Sequence, residues 1–150
     1  MNKNSDTLFV ISEYGLDAKP FDKDDNGYNM NEWNNCSLKK WLNSEFFNQA
    51  FDSEEKSLIE NTIFGKIFCL SIEEVKKYFS SDSDRRCIAT SYTKSQGAFT
   101  WNRNCDWWLR SRGILNSEAT LVRHTGGIAN HGDDVTKTSV AVRPAMKLKI

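Results

Sequence analysis

The stretch Asn102-Arg103-Asn104-Cys105-Asp106-Trp107-Trp108-Leu109-Arg110-Ser111-Arg112-Gly113 decides the fold. In an extended chain, successive side chains point to opposite faces, so Trp107 and Trp108 need cover on both sides. A central strand meets that need. Leu109 shares the face of Trp107, and Arg110 shares that of Trp108. Two readings follow: a core strand with a paired arginine, or an aromatic and cationic platform for a ligand.

Outward from this stretch, residues 119–124 and 139–143 read as further strands. Ala119, Leu121 and Arg123 alternate with Thr120, Val122 and His124, and Val140 and Val142 repeat the period of two. Gly126-Gly127 and Asn130-His131-Gly132-Asp133 are turn chemistry between them. Short extended pieces are predicted at 87–90 and 98–101.

The first half is different. Residues 8–11 form an apolar run that reads as a buried strand. Residues 22–27 offer oxygen ligands but miss the spacing of an EF-hand loop, so a solvated turn is expected. Ser37 caps a helix carrying Leu38, Trp41, Leu42 and Phe46, widened by Phe47, Ala50 and Phe51. Asp52-Ser53-Glu54-Glu55 restarts a helix through Leu58 and Ile59. Residues 63–70 read as a strand. Ser71-Ile72-Glu73-Glu74 is a capping box opening a helix with Val75, Tyr78 and Phe79 inward. Residues 80–84 then form an exposed loop. Helices first and a meander of strands second give an α+β pattern. Trp41, Phe46, Leu70, Trp108 and Val142 are the expected centre of the core. Arg110 and Arg143 lie in apolar strand contexts and need a carboxylate or backbone carbonyls.

A chain of 150 residues fits one domain, 1–150, with a core that needs no staples. Twenty basic and twenty acidic side chains balance. No basic excess argues for a nucleic-acid binder, and no nucleic acid or membrane partner is expected. Residues 8–11 are too short for a signal-peptide core or a membrane span. The expected location is cytoplasmic by default, or a virion or cell surface if the chain is part of a longer protein. Cys36, Cys69, Cys87 and Cys105 match no zinc spacing. Cys87 and Cys105 are candidate neighbours, with reduced thiols the default.

The order Ser37-Leu38-Lys39-Lys40-Trp41-Leu42-Asn43, Phe68-Cys69-Leu70-Ser71, Cys87 with Thr90 and Tyr92, Trp107-Trp108-Leu109-Arg110-Ser111 and Val140-Ala141-Val142-Arg143-Pro144-Ala145 resembles the DUF6273 domain family of bacteria and phages. The likeness spans residues 8–150. Arg112 stands where the family usually has proline, and the strand pair with which the family usually opens is missing before residue 8. The ending is similar to C-type-lectin-like domains. That likeness implies two to three N-terminal helices packed on a twisted antiparallel sheet, with loops presenting a ligand surface. The calcium-dependent sugar motifs of true C-type lectins, and the paired late cysteines of the related formylglycine-generating enzymes, are absent.

The expected function is a non-enzymatic module that binds a protein or glycan through the loops between Trp101 and Thr138. The candidate ligand residues are Trp101, Arg103, Arg112, Arg123, His124, Asn130, His131, Asp133 and Asp134. Trp41, Trp107, Trp108, Arg110 and Arg143 are structural candidates. Two alternatives are a structural domain of a larger surface or phage assembly, and a degenerate relative of the formylglycine-generating enzymes. No cofactor is expected. Asp133 and Asp134 with Asn130 and Asn116 could offer calcium ligands, against the competing reading of a polar hairpin tip.

Overall fold

The computed structural model describes residues 6–24 and 30–150. The expected turn at 22–27 therefore lies partly outside the described residues. The apolar run near the start forms β1 (Thr7–Ile11), which pairs antiparallel with the C-terminal segment Ala145–Lys149. β2 (Asp17–Ala18) follows. After a 3-10 turn at Trp33–Asn35 comes α1 (Ser37–Trp41). Its cap is Cys36, whose Sγ accepts from Lys39 N at 3.4 Å, and not Ser37. Ser37 Oγ is occupied by Lys23 N at 2.9 Å.

A π-helical turn, Leu42–Phe46, joins α1 to α2 (Phe47–Ala50). Asn43 stands in that turn, and its amide holds the loop opposite. Its Oδ1 accepts from Lys66 N at 2.8 Å and Ile67 N at 3.1 Å, while its Nδ2 donates to Ile67 O at 2.9 Å. Gly65 has φ +99, and a Cβ there would lie 2.9 Å from the same amide. This clamp replaces the strand expected at 63–70. That segment makes a tight turn and then single bridges, Thr62 to Gly65 and Phe68 to Ala145.

The two acidic capping boxes form as expected. Asp52 with Glu55 opens α3 (Ser53–Leu58), and Ser71 with Glu74 opens α4 (Ile72–Tyr78). Val75 is buried, but Tyr78 is exposed and stacks on Phe9 at 5.0 Å. The loop expected at 80–84 is largely a short helix, α5 (Asp82–Arg85), capped by Ser81. Residues 87–90 make isolated bridges only, and Thr90 caps a helix the pattern did not show, α6 (Ser91–Ser95).

The strands of the second half are β3 (Thr100–Trp101), β4 (Asn104–Cys105), β5 (Trp107–Arg112), β6 (Glu118–Val122), β7 (Ile128–Asp134), β8 (Ala141–Val142) and β9 (Ala145–Lys149). The molecule is α+β. The main sheet runs β2-β8-β5-β6-β7. It departs from a pure antiparallel meander, because β5 and β8 pair in parallel through Trp107 and Ala141. Asn130-His131-Gly132-Asp133 is not a hairpin tip but part of the outer strand β7, bulged at Gly132. The segment 126–138 also carries a core residue, the fully buried Val135.

β5 is the middle strand, and both its tryptophans have 0% exposure. Trp107 meets Phe79 edge-on and donates from Nε1 to Arg85 O at 3.1 Å. Trp108 meets Phe21 edge-on and donates to Lys19 O at 2.8 Å. Leu70 and Val142 join them in the core, whereas Trp41 and Phe46 are only half-buried at its rim. There Lys19 Nζ lies 4.6 Å from the Trp41 ring centroid. Arg110 pairs with Glu74, donates to Cys69 O at 2.9 Å and lies over Phe64. Arg143 donates to Ser12 O at 2.8 Å and lies over Trp107 and Phe79.

Asn43→Ala removes the partners of two N–H groups and one carbonyl in a half-buried loop. We predict a loss of about 2–3 kcal/mol in chemical denaturation, on the scale of stranded polar groups. A loss below about 0.5 kcal/mol, the range of a neutral surface change, contradicts the clamp.

Candidate functional site

The candidate site grows from Asp106, the residue just before Trp107. Placed by the central strand, its side chain is only 8% exposed. A buried carboxylate needs donors, and it has three. Its Oδ1 accepts from His124 N at 2.7 Å and His124 Nδ1 at 3.0 Å, and its Oδ2 accepts from Arg123 Nη1 at 3.3 Å. The carboxylate beside Nδ1 assigns the imidazole proton there. Nε2 is then left without a protein partner among the described residues.

Arg123 and His124 follow the end of β6, in the turn to β7. Arg123 N donates to Gly127 O and Gly126 N to Arg123 O, both at 2.8 Å. Gly126 has φ +88, and a Cβ there would fall 1.8 Å from the Asp82 carbonyl oxygen. The turn therefore lies directly on α5. Arg85 Nε donates to Gly126 O at 2.8 Å and Arg86 Nε to Thr125 O at 3.1 Å. The two side chains thus stand on a held backbone.

Arg123 Nη1 also reaches Asp133 Oδ2 at 3.0 Å, and Lys137 Nζ reaches the same oxygen at 2.7 Å. Phe99 is 48% exposed and stands edge-on to the His124 ring, centroids 5.3 Å apart. Phe99, Asp106, Arg123, His124, Lys137 and Ser139 line a groove of about 580 Å³. A larger groove of about 800 Å³ runs beside Lys19, Lys40 and Trp41, but among the described residues it has no such buried charged network.

Of the candidate ligand residues, the structure gathers Arg123, His124 and Asp133. Trp101 and Arg103 belong to the β3–β4 hairpin, both exposed, with Asn102 and Arg103 at positive φ in its turn. Arg112 pairs with Glu32 beside a different groove of about 470 Å³. Asn130 and His131 are exposed on β7. Asp134 accepts from Thr136 N at 2.8 Å and Thr136 Oγ1 at 2.7 Å. The sequence pattern missed Asp106, Phe99 and Lys137. Asp106 gave one signal, an acid abutting a doubly covered strand.

The cysteines are free and buried. Burial pushes the Cys36 thiol up to about 12 and raises Cys69 as well. Cys87 and Cys105 are neighbours beneath Gly15, whose Cβ would lie 3.9 Å and 3.0 Å from their sulfurs. Their hydrogen bond, with the charge of Arg143 nearby, lowers Cys87. The same bond, together with burial, raises Cys105. Among the described residues no group of three or more His, Cys, Asp or Glu is arranged to hold a metal ion. Among them, too, no helix is long and apolar enough to cross a membrane.

Burial alone would raise the Asp133 carboxyl, but the hydrogen bonds from Lys137 and Arg123 reverse this and hold it below the usual carboxylate range. A lowered carboxylate stabilises the fold fully above its unfolded pKa, and that stability is lost as pH falls through the folded value. Asp133→Asn should therefore lower Tm at neutral pH, and its gap to the wild type should narrow below about pH 4. Melts between about pH 7 and about pH 3 read this, and a gap constant across that range contradicts it.

No curated protein and no solved structure matches the chain. The family described as "Domain of unknown function (DUF6273)" matches residues 5–150. The chain belongs to the DUF6273 family.

Proposed function

We propose that this domain is a binding module of C-type-lectin-like character that recognises a protein or glycan at the groove of Phe99, Asp106, Arg123, His124 and Lys137. The observation that carries this reading is the network itself. A buried carboxylate pre-positions an imidazole and a guanidinium beside an exposed ring. Sites held this way lose little freedom when a ligand arrives. Helices packed on a mixed sheet, with the groove on segments between strands, suit a lectin-like character. The state of the thiols supports binding over catalysis. Three are pushed upward, and Cys87, the lowered one, has 1% exposure.

An assembly role draws on a separate observation. β1 pairs only with β9, and Leu8 on it is 52% exposed, so one strand edge is open among the described residues.

The binding reading predicts the behaviour of a double variant, Phe99→Ala with Lys137→Ala. Both side chains are about half exposed, so stability should stay within about 1 kcal/mol of wild type. Binding to a partner found by pull-down or glycan array should weaken at least about tenfold, a loss of about 1.4 kcal/mol. The variant Asn130→Ala with His131→Ala should bind as wild type does. If the first variant binds unchanged and the second does not, the ligand surface is β7 and the groove is wrong.

A further inference from the structure

Charge balance in the groove restricts what it can hold. Asp106 and Asp133 carry two negative charges, and Arg123 and Lys137 carry two positive ones. They form one chain, Asp106 to Arg123 at 3.3 Å, Arg123 to Asp133 at 3.0 Å and Asp133 to Lys137 at 2.7 Å. An anionic ligand needs an uncompensated cation, but Arg123 already bridges both carboxylates. A cationic ligand needs an uncompensated carboxylate, but Asp133 already faces two cations. A wholly apolar ligand would cover these groups and leave their remaining hydrogen-bonding capacity unmet.

That remaining capacity is mixed. Arg123 makes both of its ion pairs through Nη1, leaving Nε and Nη2 without protein partners among the described residues. Lys137 Nζ has one acceptor and can donate twice more. On a neutral imidazole whose proton sits on Nδ1 towards Asp106, His124 Nε2 is an acceptor with no protein partner among the described residues. Donors and an acceptor thus stand side by side, and next to them is the half-exposed Phe99 ring. A peptide presents donors and acceptors spaced along an extended backbone, which best matches a strand edge. Here the polar groups are clustered side-chain tips. A hydroxyl both donates and accepts. Adjacent hydroxyls on a ring with an apolar C–H face match this cluster.

We infer that the groove takes one uncharged pyranose residue, its C–H face on Phe99 and its adjacent hydroxyls shared between Arg123, Lys137 and His124. The inference rests on the groove being the ligand site.

The test is a titration of the 15N-labelled protein with methyl pyranosides of gluco, galacto, manno and N-acetylglucosamine type. Glucuronate, glucosamine and a blocked neutral tripeptide serve as comparisons. At least one neutral pyranoside should shift the amides of residues 97–99, 106, 123–124 and 137–139, with a Kd on the order of 1 mM. Salt should leave that Kd unchanged, because no net charge is neutralised. Phe99→Ala and Lys137→Met should each weaken binding, the first about tenfold or more. Tighter, salt-sensitive binding of glucuronate or glucosamine would overturn the inference. So would preference for the tripeptide, or silence of all neutral pyranosides at tens of millimolar. If the pyranosides fail while Phe99→Ala with Lys137→Ala still loses its captured partner, the sugar is wrong and the binding groove stands. If they shift only amides remote from the groove, both fall.

Discussion

Adjacent tryptophans in an extended strand cannot share one side of a sheet. Because Trp107 and Trp108 are both fully buried, apolar layers must exist on both faces of β5. Phe79 and the Arg143 guanidinium cover Trp107, and Phe21 covers Trp108. Each indole N–H also needs an acceptor in a dry environment. The carbonyls of Arg85 and Lys19 supply them, which fixes where α5 and the segment after β2 run. The placement of the sheet follows from the same demand. β5 has β6 on one side and meets β8 on the other at Trp107, beyond which Arg110 N donates to Leu70 O.

That constraint also builds the groove. Asp106 N-terminally adjoins the buried pair, so it inherits a rigid and poorly solvated position. A carboxylate there is tolerated because Arg123 and His124 reach it, and they do so because the β6–β7 turn rests on α5. Frame and groove are thus one physical object. A change that loosens α5 moves the turn, and with it the groups facing a ligand.

The legible part of this fold is local or strongly periodic. The capping boxes at Asp52 and Ser71 are short-range chemistry and stand where the residues place them. The doubly covered strand was legible because two tryptophans in a row have few alternatives. Long-range polar clamps were not legible. Asn43 cancels a strand at 63–70 through bonds spanning 23 and 24 residues, and nothing near residue 63 announces it. Asn130-His131-Gly132-Asp133 has turn composition, yet β6 pairs with it across a bulge, and tertiary pairing overrides composition. In the groove, Arg123, His124 and Asp133 were visible as polar residues outside the core pattern. Asp106, Phe99 and Lys137 were not, because their roles depend on which segments meet.

The most direct measurement is hydrogen exchange at the five tryptophan indoles, followed by NMR. The N–H groups of Trp107 and Trp108 should exchange only through global unfolding, with equal apparent free energies that track denaturant stability. The exposed Trp101 indole should exchange without such protection. Exchange of Trp107 or Trp108 on the timescale of Trp101, in a protein otherwise folded, would contradict a sheet covered on both faces.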